Sequence, residues 1–352
     1  MDINNLFKLA AEKKASDIHL LHGQSPILRI DGQLFDINEV VDDGNFSKLN
    51  GKDLESFLST LLTKDQKVRF LDRRDLDFSY QLDEYRYRVN CAFEKNNISI
   101  VARVIDERKP TLEDIGLPPI INKLLNMPQG FILITGPTGC GKSTTLAAMI
   151  NHINDTRSCN IVTLEDPIEY IFTPNKSIIA QRQLGSDMLS FTAGLKHVLR
   201  QDPNVIMLGE MRDLETIAAA VTLAETGHLV LATLHTYSAA QTIDRIIDIF
   251  PPYQQTQIKS QLSSVLSAVI SQRLLTRKSG GRIAAREILL HNSAVANLIR
   301  EGKIAQIKST IETSSSVGMI TLDRDIKRLY QNGEISREVA VRQMDEPNIL
   351  DN

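Results

Sequence analysis

The sequence predicts an α/β protein in two parts: an α+β amino-terminal segment, then a parallel α/β core ending in a helical region. Three observations carry this. Apolar and polar residues alternate through much of the first hundred positions. From about residue 120, short apolar runs are separated by helix-length stretches, as βαβ units require. Between the two lies Lys109-Pro-Thr-Leu-Glu-Asp-Ile-Gly-Leu-Pro-Pro, whose three prolines in eleven residues predict a linker. The expected division is 1–107, linker 108–119, core 120–290 and helical region 291–352.

In order along the chain, Leu6–Lys14 reads as a short helix. Asp17-Ile-His-Leu-Leu and Pro26-Ile-Leu-Arg-Ile read as strands, and Asp31-Gly32 as a hairpin turn. Asp53–Phe70 reads as one helix. Strands follow at Asp75–Gln81, Tyr85–Phe93 and Ile98–Ile105. The strict alternation of Tyr85-Arg-Tyr-Arg-Val-Asn puts Arg86 and Arg88 on one sheet face. In the core, strands are expected at Phe131–Thr135, Asn160–Leu164, Val205–Leu208 and His228–Thr233. Helices are expected from Lys142, near Phe191–Arg200 and over Asp213–Glu225. Beyond Pro252 the chain reads as mostly helical, apart from a hairpin at Arg273–Leu290 turning on Ser279-Gly280-Gly281.

Composition narrows the function. The 352 residues carry 40 Lys and Arg against 43 Asp and Glu, a formal charge of −3, without the basic excess of a nucleic-acid coat. Cys91, Cys140 and Cys159 form no C-x-x-C pair, so neither a zinc knuckle nor a disulfide framework is expected. No signal peptide and no membrane-length apolar run is present. The expectation is a soluble protein of a reducing compartment that meets membranes through a partner.

Gly136-Pro137-Thr138-Gly139-Cys140-Gly141-Lys142-Ser143 fits G-x-x-x-x-G-K-[ST], with Thr144 following, between an apolar strand and a helix. Glycines let backbone N–H groups converge on phosphate oxygens, and the helix N-terminus adds its positive end. Lys142 reaches the β- and γ-phosphates, and the Ser143 hydroxyl takes a place on Mg²⁺. Such a loop needs a carboxylate to hold the metal or orient the attacking water. Glu165, with Asp166 and Glu169, ends one apolar strand, and Glu210 ends another. Either glutamate can serve as metal ligand or base, and the sequence leaves the choice open. His228 and His235 bracket a third strand, with His235 at its carboxyl end, facing the nucleotide.

Together these segments resemble the secretion and pilus motor ATPases, and among them the type IV pilus retraction branch. Ala15-Ser-Asp-Ile-His-Leu and Arg29-Ile-Asp-Gly look like that family's opening strands. Gly136–Thr144 is similar to its nucleotide loop, with Cys140 where serine is usual. Thr163-Leu-Glu-Asp-Pro-Ile-Glu-Tyr resembles its Asp box. Gly209-Glu-Met-Arg-Asp resembles its second nucleotide motif, and Thr226–Thr236 its histidine box. Ala294-Val-Ala-Asn-Leu-Ile-Arg-Glu resembles the retraction signature, with Ala296 in place of its first arginine.

The resemblance implies a PAS-like amino-terminal domain, a RecA-like ATPase core, a homohexamer, and ATP and Mg²⁺ as ligands. It assigns Arg88 and Arg103 to the nucleotide's phosphates. It also implies pilus retraction, an integral-membrane platform protein as partner, a paralogous retraction ATPase as a second one, and a place at the inner face of the cytoplasmic membrane. Extension and type II secretion relatives usually carry a further amino-terminal domain and a four-cysteine zinc site, neither expected here. An ATPase of a type IV secretion system is the nearest alternative. A nucleic-acid translocase on the same core is the more distant one, and the net charge speaks against it.

Overall fold

The computed structural model describes residues 2–30, 32–41, 46–83, 85–105 and 110–350. Two compact units are present: Met1–Arg108 with Pro167–Ile171, and Lys109–Asp166 with Phe172–Asn352. Asp31 and the expected linker's first two residues lie outside the described residues.

The first unit holds one antiparallel sheet of β1 (Asp17–Leu20), β2 (Ile27–Ile30), β3 (Gln33–Asp36), β4 (Asp75–Leu82), β5 (Tyr85–Glu94) and β6 (Asn97–Ile105), in the order β3-β2-β1-β6-β5-β4. Period-2 alternation sorts its faces. Ile18, Leu28, Tyr87, Val89, Cys91, Ile100 and Ala102 are buried in the unit's apolar core with residues of the helices Ile3–Glu12, Gly51–Leu61 and Lys64–Arg73. Register sets Arg29, Asp17, Arg103 and Arg88 side by side across four strands.

The single helix expected over Asp53–Phe70 is two. Asn50 and Thr63 each form a capping box, with Asp53 and Gln66, so a new helix starts at Lys64. The strand β3, whose bounds the sequence reading did not give, pairs Gln33 with Ile30.

The second unit is built on a seven-stranded sheet. Its strands are β7 (Gly130–Thr135), β8 (Asn160–Glu165), β9 (Ile178–Gln183), β10 (Val205–Leu208), β11 (Leu229–Leu234), β12 (Leu266–Thr276) and β13 (Arg282–Leu290). They run in the order β13-β12-β7-β11-β10-β8-β9, all parallel except β13. β7, β10 and β11 are buried along their whole length, which is why they read as unbroken apolar runs.

Two strands depart from expectation. β9 is a polar edge strand without an alternating signal. β12 begins at Leu266, seven residues before the expected hairpin, and its first half pairs parallel with β7. An apolar stretch that follows the helix Pro252–Val265 without a break carries no punctuation to mark the change. The helices Leu322–Gln331 and Arg337–Gln343 close the far half of β12 and β13 through Leu275, Ala285, Ile326, Leu329 and Ala340. Among the described residues no helix is long and apolar enough to cross a membrane. Cys91, Cys140 and Cys159 are free thiols.

Candidate functional site

The carboxyl ends of β7, β8, β10 and β11 meet along one edge of the parallel sheet, where ligands collect in such folds. β7 delivers the loop 136–141, and the helix Lys142–Thr156 begins directly after it. Gly141 is this helix's N-cap at φ 89°, and no side chain caps the first turn. Those first N–H groups have no intrahelical partner, which makes the turn an anion site. Gly136 adopts φ 144°, and a Cβ there would stand 2.3 Å from the Gln272 carbonyl oxygen and 2.6 Å from the Cys140 sulfur. Only glycine fits. Lys142 Nζ donates to the carbonyls of Gly136 (2.9 Å) and Pro137 (3.0 Å), so its ammonium lies inside the curve of the loop. Thr138 and Gly139 are exposed at the tip, and Cys140 is buried, which pushes its thiol above the ordinary range.

Glu165 ends β8 and is 7% exposed. Its Oε1 accepts from the Thr163 hydroxyl (2.6 Å) and from Gln181 Nε2 (3.1 Å) on neighbouring β9. Glu210 follows β10. Its Oε1 lies 2.6 Å from an Arg212 guanidinium nitrogen, and its Oε2 lies 3.7 Å from His235 Nε2. The backbone here is fixed by Gly209 N–H donating to Leu164, Met211 N–H to the Thr233 carbonyl, and the Thr233 hydroxyl to Gly209. A Cβ on Gly209 would come 3.4 Å from the Glu165 Cα and from the Leu164 carbonyl oxygen, so the ends of β10 and β8 run close together here.

His235 leaves the end of β11. Burial is the largest cause holding its imidazole below the ordinary value, Lys142 and Arg212 add to it, and Glu210 opposes. The neutral ring is therefore favoured near pH 7. A cleft of about 640 Å³ opens beside it, with Arg212, Thr236, Asp244 and Asp248 in its wall.

The structure thus brings Lys142, Glu210 and His235 together, with Glu165 on the adjacent strand. It does not bring His228 there. That residue precedes β11 at its amino end, about 20 Å of strand from His235, and its Nδ1 lies 2.9 Å from the Leu223 carbonyl. Glu169 belongs to the first unit, where its carboxylate lies 3.7 Å from Arg88. Arg103 is held by Asp17 at 2.8 Å. Arg88 and Arg103 face each other across β5 and β6.

Three contributors escaped the sequence reading. Gln181 braces Glu165, Arg212 pairs with Glu210, and Gln272 underlies the loop. The available signal for Gln272 was weak: an amide beside Ser271 and Arg273 in the middle of the mixed stretch from Leu266 to Leu275.

Comparison with known proteins gives a consistent result. The family described as Type II/IV secretion system protein matches residues 1–344. The chain is 43% identical over 341 residues to the type IV pilus retractation ATPase PilT of Pseudomonas aeruginosa, covering 97% of each. It is 43% identical over 320 residues to a twitching motility protein of Neisseria gonorrhoeae, covering 90% of this chain and 84% of that one. A crystal structure of the pilus retraction motor PilT with bound ADP superposes with a TM-score of 0.90 at 40% identity, covering 100% of this chain and 99% of the other.

Proposed function

The chain belongs to the Type II/IV secretion system protein family, and we propose that within it this is an ATP-driven motor that withdraws type IV pili as a six-membered ring. The carrying observation is the loop Gly136–Thr144 between a buried strand and a helix N-terminus, in a chain that matches a retraction ATPase over nearly its full length.

In this reading the loop Gly136, Pro137, Thr138, Gly139, Cys140 and Gly141 wraps the phosphates, with Gly136 and Pro137 shaping its start and the later residues supplying backbone N–H groups, while Lys142 turns from the loop carbonyls to the β- and γ-phosphates. Ser143 and Thr144 sit half-buried in the helix's first turn. The donor set fits Mg²⁺, a hard cation suited to hydroxyl and carboxylate oxygens: Ser143 with Glu210 or Glu165 would hold it. Among the described residues no group of three or more His, Cys, Asp or Glu is placed to hold a metal ion by itself. When bound, it supplies charge neutralisation on the phosphates.

Glu210 accepts the proton of the attacking water, and His235, uncharged, lies against the same carboxylate and senses the γ-phosphate. Glu165, braced by two donors, orients the neighbouring groups. Arg88 and Arg103, exchanging Glu169 and Asp17 for phosphate, complete a neighbour's site in the ring. The ring works at the inner face of the cytoplasmic membrane through an integral-membrane platform protein, and a paralogous ATPase is a second candidate partner.

Purified protein tests this. Lys142→Ala abolishes ATP turnover, because the phosphates lose their ammonium. Glu210→Gln retains nucleotide but loses turnover by at least a hundredfold, and chelation of Mg²⁺ silences the parent. Mixing Arg103→Ala with Lys142→Ala restores part of the rate if the arginine acts across subunits. Normal turnover in Glu210→Gln, with loss in Glu165→Gln, reverses the two carboxylate roles.

A further inference from the structure

Gln272 sits on β12 at 2% exposure, and the two ends of its amide are spent on the phosphate loop and on the helix that follows it. Nε2 donates to the Cys140 carbonyl (2.7 Å), and Oε1 accepts from the Thr145 hydroxyl in the first turn of the helix (2.9 Å). Its backbone carbonyl closes the third side, 2.3 Å from where a Gly136 Cβ would stand. One residue therefore meets the loop at its start, near its end and at the helix it feeds. The strand beneath is itself fixed. Ser271 pairs with Thr135 at the root of the loop, and their hydroxyls lie 2.8 Å apart.

The bond to Cys140 has a directional consequence. In a trans peptide the C=O and the following N–H point to opposite sides. Tying the Cys140 carbonyl down to Gln272 turns the Gly141 N–H away from β12. A loop rich in glycine flips its peptides easily, so some partner must choose the orientation.

We propose that Gln272 is a positioning residue for nucleotide: by holding the Cys140–Gly141 peptide and Thr145 it presets the loop for the phosphates of a nucleoside di- or triphosphate. The inference rests on the reading of Gly136–Thr144 as a phosphate loop.

The test uses the full chain, a fluorescent ADP analogue for affinity, and ATP turnover for KM and kcat. Gln272→Met removes both bonds at similar length. Gln272→Glu keeps the shape and the Thr145 bond but loses the donor to Cys140. In both, the dissociation constant is expected to rise at least tenfold. KM rises with it while kcat stays within about threefold, the pattern of a contact equally present in ground and transition states. Thr145→Val weakens binding severalfold, and adds little more when combined with Gln272→Met, because the two act as one network. If the Met variant does not fold, the Glu variant and Thr145→Val decide on the same measurements. A folded Met or Glu variant that binds within twofold of the parent overturns the proposal. Binding by the parent that Lys142→Ala leaves undiminished overturns the phosphate-loop reading beneath it, a separate result.

Discussion

Glu210 and Glu165 leave adjacent strands of one sheet, yet their surroundings differ. Glu165 is held by two neutral donors on one oxygen, a hydroxyl and an amide, which fix direction without taking a proton. Glu210 lies between a largely exposed arginine and an imidazole, partners that move readily when a nucleotide arrives. Strand-end position showed both carboxylates in the sequence; their separation by partner did not show, because Gln181 comes from another strand and the sequence does not say that Arg212 turns back onto Glu210. A third carboxylate carries a stability prediction. Glu287 on β13 is 8% exposed and accepts from the Ala239 N–H at 2.7 Å. Burial raises its pKa above the ordinary value, and the Ala239 bond opposes only in part. With the folded value above the unfolded one, ionisation costs stability at neutral pH, and the cost vanishes as pH falls below the unfolded value. Glu287→Gln keeps an acceptor for Ala239 and sheds the charge. Thermal unfolding is expected to show the variant more stable than the parent at pH 7, with the difference shrinking as pH falls below the ordinary carboxylate range. Equal or lower stability at pH 7 contradicts this.

The helix Ser293–Glu301 carries the segment that resembles the retraction signature, for which we propose a role in passing motion to a partner. Asn292 caps it, Gly302 ends it at φ 71°, and it packs against the helix Pro252–Val265. Its apolar spacing was legible, but the buried face is Val295, Ala296 and Ile299, with Leu298 only half-buried at the edge. Ala296 explains its own departure from the retraction signature: it is 5% exposed, and an arginine there would have to bury its stem in the seam. Asn297, Arg300 and Glu301 point outward. Arg300→Ala is therefore expected to leave ATP turnover within twofold while abolishing twitching motility in cells. Normal motility removes the coupling role, and joint loss of both activities makes the helix part of the catalytic fold. Other elements show where reading fails. Capping boxes at Asn50 and Thr63 are written in the sequence, but a long amphipathic stretch masks them. β12 follows a helix with no Gly or Pro between, so periodicity alone does not find the boundary.

On the scale of the whole chain, the parallel core with its loop was legible because β7, β10 and β11 are buried on both faces and so read as pure apolar runs. The antiparallel unit was legible through alternation. What no linear reading gives is the path of Pro167–Ile171, which counts with the first unit although both flanks belong to the second. Ser79 and Arg86 both donate to the Ile168 carbonyl, at 3.0 Å and 3.1–3.2 Å. Contacts of such sequence separation follow from folding, not from local pattern. A motor account requires that turnover at the loop moves filaments, and labelled pili followed by microscopy in the source organism read this directly. With Lys142→Ala as the only copy of the chain, pili are expected to extend, persist and fail to withdraw. Pili that retract at the parental frequency and speed in that strain would contradict the account.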